Sequence, residues 1–347
     1  MQIEKLNDTA TFAYLPSLEP AWGVISLLMG EPSHTLCSEL YGAEQISAWK
    51  RKYSFLFESY KAIEKYAPAG IMDFLLDMPV ERISLVNYQE LLLSISPVAF
   101  LWRIMDMEYC GKASKEVLQK ALYDDAALDT AYSWFAEKCD SFLAFAAFVR
   151  QSKRFIAEFF ALALELDNAE LHQALERLDT KVEQMAGMIA AGIAGKGALE
   201  YSESQMGKTF RNRGPYAEYV FLPSYLLPYK ACRYFHAEGE RKRQFLFLTL
   251  RTSYHTQADT VKALKAISDT TRYQILALLA KEGTMRGFEI SKALSIATST
   301  VSHHMDQLKE SGLITEEPVK NAKYYGLNKQ AAKELISEIT NDFCIEK

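Results

Sequence analysis

The chain has 347 residues, 49% hydrophobic and 24% charged, with a formal net charge of −5, the composition of a globular protein long enough for two or more domains. No stretch reaches the ~18 consecutive apolar residues of a membrane helix, and the N-terminal residues lack the basic, apolar, small-residue order of a signal peptide. Five cysteines, at 37, 110, 139, 232 and 344, are odd in number and form no CxxC pair, so no disulfide framework is expected and a reducing cytoplasm is.

In chain order, Ala10–Leu15 predicts a strand. Residues Gln45–Tyr66, Val117–Ala127, Thr130–Val149, Ser152–Leu166 and Ala169–Ala191 carry apolar residues at spacings of three and four, which predicts helices. Ala217–Leu222 predicts a strand ended by Pro223. Tyr229–Phe235 and Gln244–Leu250 predict two more, joined by a turn over Ala237–Lys242. The expected fold is mainly α with small β: a helical domain over residues 1–255 that carries a small antiparallel sheet near 217–250. A linker at about 251–259 then leads to a second domain over 257–347. There is no internal repeat and no low-complexity segment.

Little in the first domain points to catalysis. Gly207-Lys-Thr209 echoes the end of a phosphate-binding loop, but the earlier glycine is Ser202 and no helix pattern follows, so no phosphate cradle forms. His34, His172, His236 and His255 are isolated, with no nucleophile or acid at recognisable spacing. Trp22, Trp49, Trp102 and Trp134 read as core, with room among the aromatics for a small-molecule effector. No enzyme activity and no cofactor are expected.

The second domain is more legible. Thr260–Ile267 and Thr271–Ala280 predict helices, as do Phe288–Leu294 and Thr298–Lys309. The turn Ser295–Thr298 separates the last two, and Thr298 or Ser299 can cap the second of them. At 100° per residue, Val301, Met305 and Leu308 fall on one apolar arc. Ser299, His303, Asp306 and Gln307 project on the far side, flanked by Thr300 and Ser302. A solvated helix face ordinarily carries Lys and Glu. Small uncharged polar groups are what a helix needs to bring donors and acceptors to base edges in the DNA major groove. Gly312 sits where that helix stops, in a left-handed position. Leu313–Glu317 and Lys323–Leu327 predict a hairpin around the tip Pro318–Ala322, where Lys320 lies beside Asn321. Ala331–Ile339 predicts a closing helix. Helix, turn, polar helix and hairpin make a winged helix–turn–helix.

Ala266-Ile-Ser-Asp-Thr-Thr-Arg-Tyr-Gln-Ile-Leu276 and Ser299-Thr-Val-Ser-His-His-Met-Asp-Gln-Leu-Lys-Glu-Ser-Gly-Leu-Ile314 resemble the ArsR-type repressors, with Thr270 where that family usually has Pro. The resemblance covers about a quarter of the chain. It implies a homodimeric transcriptional regulator that binds double-stranded operator DNA, mostly as a repressor. Thr298, Ser299, Thr300, Ser302, His303, His304, Gln307 and Lys309 would lie toward the major groove, and Lys320, Lys323 and Tyr324 in the wing. The metal sites of the family do not carry over: Glu289–Leu294 holds no thiol and Asn328–Ile339 no histidine, which leaves only Cys344, His303 and His304 as candidates. No metal is expected. More faintly, Phe12–Pro20 and Glu218–Ser224 resemble an uncharacterised domain found ahead of ArsR-type modules.

Residues 257–347 hold twelve Lys and Arg against twelve Asp and Glu, so binding must come from placement of Arg286, Lys292, Lys309, Lys320 and Lys323, and from pairing of two copies. The N-terminal domain is expected to sense a non-metal signal or to dimerise. The alternatives are an interaction scaffold that uses the winged helix for protein partners, and an enzyme with an appended regulatory domain.

Overall fold

A computed structural model describes the chain apart from residues 31–34, 138, 208, 211–213, 237–241, 251–256, 320–321 and 344–347. The polypeptide divides into two compact units, Met1–Ser202 with Asn212–Leu250, and Glu203–Arg211 with Arg251–Lys347. The expected turn over 237–242, His34, His255, Lys320, Asn321 and Cys344 fall wholly or mostly outside the described residues.

The first unit opens with strands β1 (Gln2–Lys5) and β2 (Ala10–Tyr14). Helices α1 (Glu19–Met29), α2 (Thr35–Lys52), α3 (Ser54–Tyr60), α4 (Leu85–Ser94), α5 (Pro97–Ile104) and α6 (Lys115–Ala121) come next. After them come α7 (Asp125–Ser133), α8 (Phe142–Arg150), α9 (Ser152–Leu166), α10 (Ala169–Glu176), α11 (Asp179–Lys196) and α12 (Ala198–Met206), the last of which runs past Ser202 into the segment assigned to the second unit. Strands β3 (Glu218–Ser224), β4 (Ala231–Phe235) and β5 (Arg243–Thr249) close it. Ser84, Ser96, Ser114, Asp124, Ser141 and Asn168 each cap a helix by accepting a backbone N–H three residues on. The Ser141 cap explains why the helix expected over 130–149 is two: α7 ends at Ser133 and α8 restarts after Ser141. Helix α9 is the central post, with Phe155, Ile156, Phe159, Phe160, Leu162, Ala163 and Leu166 buried. Near its end, Glu165 accepts from Trp49 Nε1 at 2.6 Å and from Lys52 and Tyr53.

The sheet is mixed, where an antiparallel one was expected. Its order is β1-β2-β3-β5-β4, and both β2·β3 and β3·β5 are parallel. The hydrophobic pattern of a strand does not reveal its direction. Here all twelve helices lie in the crossover between β2 and β3, and a long crossover is what parallel neighbours require. Arg243 sets the β3·β5 register: its guanidinium donates to both Glu218 carboxylate oxygens at 2.7 and 2.8 Å and to the Met78 carbonyl at 2.6 Å. Pro223 does not end β3, which pairs with β5 through Ser224. The Tyr219 N–H points toward β2, so by alternation the nitrogen of Pro223 points the same way, beyond the last β2 partner at Phe221. No ladder bond is lost there. The faint resemblance segments meet across this sheet. The fully buried Glu19 carboxylate accepts from Ser224 Oγ at 3.0 Å and from the Tyr225 and Leu226 N–H groups at 2.8 Å each.

Gly192 on α11 faces the Tyr201 ring, and a Cβ there would stand 2.3 Å from it. Gly192→Ala should therefore destabilise the chain by about 1–3 kcal/mol, the range for overpacking. An unchanged midpoint of urea unfolding would show that the ring moves aside freely.

The second unit contains α13 (Gln257–Ile267), α14 (Thr270–Glu282), β6 (Met285–Arg286), α15 (Gly287–Leu294) and α16 (Thr298–Glu310). It continues with β7 (Ile314–Val319), β8 (Ala322–Leu327) and α17 (Lys329–Asp342). Its core joins Ala263, Ala266, Ile275, Leu276, Leu279, Ile290, Val301, Met305, Leu308, Leu313, Ile314 and Leu335. The three strands form an antiparallel sheet ordered β6-β8-β7. The helical body with a small sheet, followed by a winged helix–turn–helix, gives a mainly α fold with small β.

Candidate nucleic-acid interface

Helix α16 stands on a tight turn. Ser295 ends α15 in the left-handed region (φ 54°, ψ 41°), and Ser291 Oγ closes the turn by donating to the Ile296 carbonyl at 2.7 Å. The N-cap is Ala297, extended at φ −64° and ψ 145°, with no side-chain cap. The expected cap by Thr298 or Ser299 does not form, because both lie inside the helix. The first N–H groups of α16 therefore have no side-chain acceptor, which suits a helix end that meets phosphate. At the other end, the Gly312 N–H donates to the Lys309 carbonyl (2.9 Å) and Leu313 N–H to that of Leu308 (3.1 Å). With Gly312 at φ 73°, this is the Schellman stop that the sequence signalled.

Val301, Met305 and Leu308 are buried, and Thr298, Ser299, Thr300, Ser302, His303, Asp306 and Lys309 are exposed. The small polar face is thus open to solvent. Gln307 and His304 differ from the rest of the set. Gln307 is half-buried and its Oε1 accepts from Arg272. The His304 side chain is 12% exposed, with Nδ1 3.9 Å from Asp269 Oδ1. Asp269 caps α14 by accepting the Arg272 N–H at 2.9 Å.

That amide holds the Asp269 carboxyl below the usual carboxylate range, with the Arg272 and His304 side chains adding to the effect. Asp269 thus contributes stability at neutral pH that is lost as pH falls through its lowered folded value. Asp269→Asn should flatten the acid limb of unfolding followed by circular dichroism; an unchanged limb would remove the cap from the acid transition.

In the wing, β6 pairs with β8 so that Arg286 faces Tyr324, and Arg286 Nε donates to Tyr324 Oη at 2.6 Å. Lys309 of α16 and Lys323 of β8 both reach Glu316 on β7, at 3.2 and 3.3 Å. Burial works against ionisation of Glu316, but the two ammonium groups outweigh it and hold the carboxyl low. Glu316 was not singled out in the sequence. Only the hairpin register places it between two lysines seven residues away on either side. Lys292 is exposed on α15.

Residues 269–316 match the model of the bacterial regulatory protein arsR family. The transcriptional repressor SdpR of Bacillus subtilis (strain 168) is 36% identical over 77 residues, 22% of this chain and 84% of that protein. The chain belongs to the ArsR family. A CadC homolog of Staphylococcus aureus, described as a cadmium resistance transcriptional regulatory protein, is 31% identical over 80 residues, 23% of this chain and 66% of that one. Among solved structures, HlyU from Vibrio cholerae N16961 is 28% identical with a TM-score of 0.21, covering 25% of this chain and 94% of that one. SdpR and the CadC homolog are described as transcriptional regulators, and the arsR-family match at residues 269–316 falls in the second unit, which supports a DNA-binding regulatory role for that module. The Asp269-Thr-Thr-Arg272 segment lies inside the match and opens α14, with Thr270 as its first helical residue in place of the usual Pro.

Proposed function

We propose that the protein is a sequence-specific DNA-binding transcriptional regulator that represses as a homodimer in the cytoplasm. Residues 257–347 form its DNA-binding domain and residues 1–255 a domain that senses a non-metal signal or dimerises. The observation that carries the reading is the α16 surface: an apolar side locked in the core and an exposed face of Thr298, Ser299, Thr300, Ser302 and His303. Lys309, Lys320, Lys323 and Tyr324 would meet the backbone beside it. The dimer reading draws on Val261 and Leu264 of α13, together with Ile336 of α17 and the following Phe343, which expose 40–69% of their surface. A second copy of this chain would cover them. The sensing reading draws on a cleft of about 660 Å³ in the first unit, walled by Tyr14, His172, Leu175, Asp179 and Val182, a size suited to a small molecule.

Binding of the full chain to random-sequence and palindromic duplexes, followed by fluorescence anisotropy across salt, tests the proposal. Affinity should fall linearly on a log–log plot, with a slope of about −0.9 per phosphate neutralised. Flat salt dependence, or no binding at low salt, would sink it. Glu316→Gln, which releases Lys309 and Lys323, should steepen the slope by about one to two and tighten low-salt binding on the order of ten-fold. Weaker binding would instead make Glu316 a strut of the wing.

A further inference from the structure

Two residues that the sequence assigns to the DNA face are turned inward beside the same turn: Gln307 accepts from Arg272, and His304 brings Nδ1 to 3.9 Å from Asp269 without a hydrogen bond. The Arg272 guanidinium makes three hydrogen bonds to two other helices. Nε donates to the Ala266 carbonyl at 2.6 Å and Nη2 to the Lys265 carbonyl at 3.0 Å, both at the end of α13, while Nη1 donates to Gln307 on α16. Its own N–H is held by Asp269, whose Oδ1 lies 3.9 Å from His304 Nδ1. At 100° per residue, His304 and Gln307 lie on one flank of α16 and Lys309 and Ser302 on the other, with Ser299, His303 and Asp306 between them. Lys309 is tied to Glu316. The exposed face is therefore bracketed by a polar tie on each flank.

We propose that the Asp269–Arg272 turn is a socket that fixes the rotation of α16 about its own axis. Gln307 and His304 are then positioning residues for base reading, not base readers. The physical need is plain. Apolar burial of Val301, Met305 and Leu308 is non-directional and tolerates a few degrees of roll. A planar guanidinium with fixed donor directions does not. A small roll moves Ser299 and His303 off their base edges, since productive groove contacts require hydrogen-bond geometry. The carbonyls that Arg272 grips are the last of α13, where the helix dipole favours a cation. The reading role rests on the DNA-binding proposal; the anchoring does not.

The test uses the full chain and the variants Arg272→Lys, Gln307→Leu and the pair. Duplexes with a randomised central stretch are selected in vitro and sequenced. Affinity for the enriched duplex and for the unselected pool is then measured across salt. Each single variant should lower the preference for the enriched duplex on the order of ten-fold, spread over all selected positions, and the pair should lose no more than either alone. Affinity for the unselected pool, its salt slope and the melting temperature should stay near those of the parent. If Gln307→Leu erases preference at one base pair and adds to Arg272→Lys, Gln307 is a reader and the proposal falls. It falls too if preference is unchanged, or if both affinities drop with the melting temperature, as a merely structural role predicts. Amide hydrogen exchange without DNA supplies the second readout. The α16 amides of Arg272→Lys should exchange about ten-fold faster while β7 and β8 do not change; unaltered α16 exchange overturns the socket. Should the parent chain enrich no sequence, the DNA-binding reading fails and the exchange result alone decides the anchor.

Discussion

Replacing Ser299 and His303 together by Ala should erase most of the base preference of the chain while leaving its grip on arbitrary DNA nearly intact. Both side chains are exposed on the first two turns of α16, the end that enters a groove in helix–turn–helix proteins. Neither is committed to a hydrogen bond among the described residues, so their donors and acceptors are free for base edges. A good base contact is worth about 1–3 kcal/mol of discrimination, so the double variant should lose roughly ten- to several-hundred-fold in the ratio of operator to random duplex. Lys323→Ala is the contrast. Lys323, paired with Glu316 in the free chain, would offer the DNA backbone charge alone, so its loss should weaken all sequences alike, with a salt slope shallower by up to about one. Competition binding with a selected duplex and a scrambled one separates the two. Equal losses from both variants would show that the polar face reads no sequence.

Glu19→Ala should be the most damaging single change in the first unit. The carboxylate is 1% exposed and accepts two backbone N–H groups and the Ser224 hydroxyl across more than two hundred residues of chain. Hydrogen bonds to a charged acceptor contribute about 1.5–3 kcal/mol each, and removing the acceptor strands buried donors. The expected loss is on the order of 4 kcal/mol, a large part of the stability of an ordinary domain, read as a lower urea midpoint or as loss of soluble protein. Glu19→Gln should recover part of it, since one oxygen remains to accept. A variant as stable as the parent would mean that water replaces the carboxylate without cost. Because Glu19 joins the start of α1 to the end of β3, its loss should loosen the sheet before α9 and its aromatic neighbours.

Particular elements show what was readable in one dimension. The apolar arc of α16, the Gly312 stop and the two wing strands were legible because each depends on residues within a few positions of one another. Toward the tip, β7 runs two residues further than expected and β8 one, since pairing with a partner extends what local propensity starts. In the first unit α9 was read to its ends, but α1, α4 and α5 were not. Their burial is nearly all-round or their apolar stripe is short, and such segments lack a clean period. Helix α11 was merged with α10 because the break at Arg177–Leu178 contains neither Gly nor Pro.

The sequence by itself determined the winged helix–turn–helix, because helix period, turn chemistry and the spacing of small polar residues are local properties, and its likeness to the ArsR type came from the residues of 266–276 and 299–314. Tertiary structure alone decided three things. It made the first sheet mixed, since strand direction depends on where a two-hundred-residue excursion returns. It set Glu316 between Lys309 and Lys323, since a hairpin register brings together what lies seven residues apart on either side. And it took His304 and Gln307 away from the DNA face, since at 100° per residue they sit on the border between core and solvent. There the partner on the neighbouring helix, the Asp269–Arg272 turn, decides which way a side chain goes.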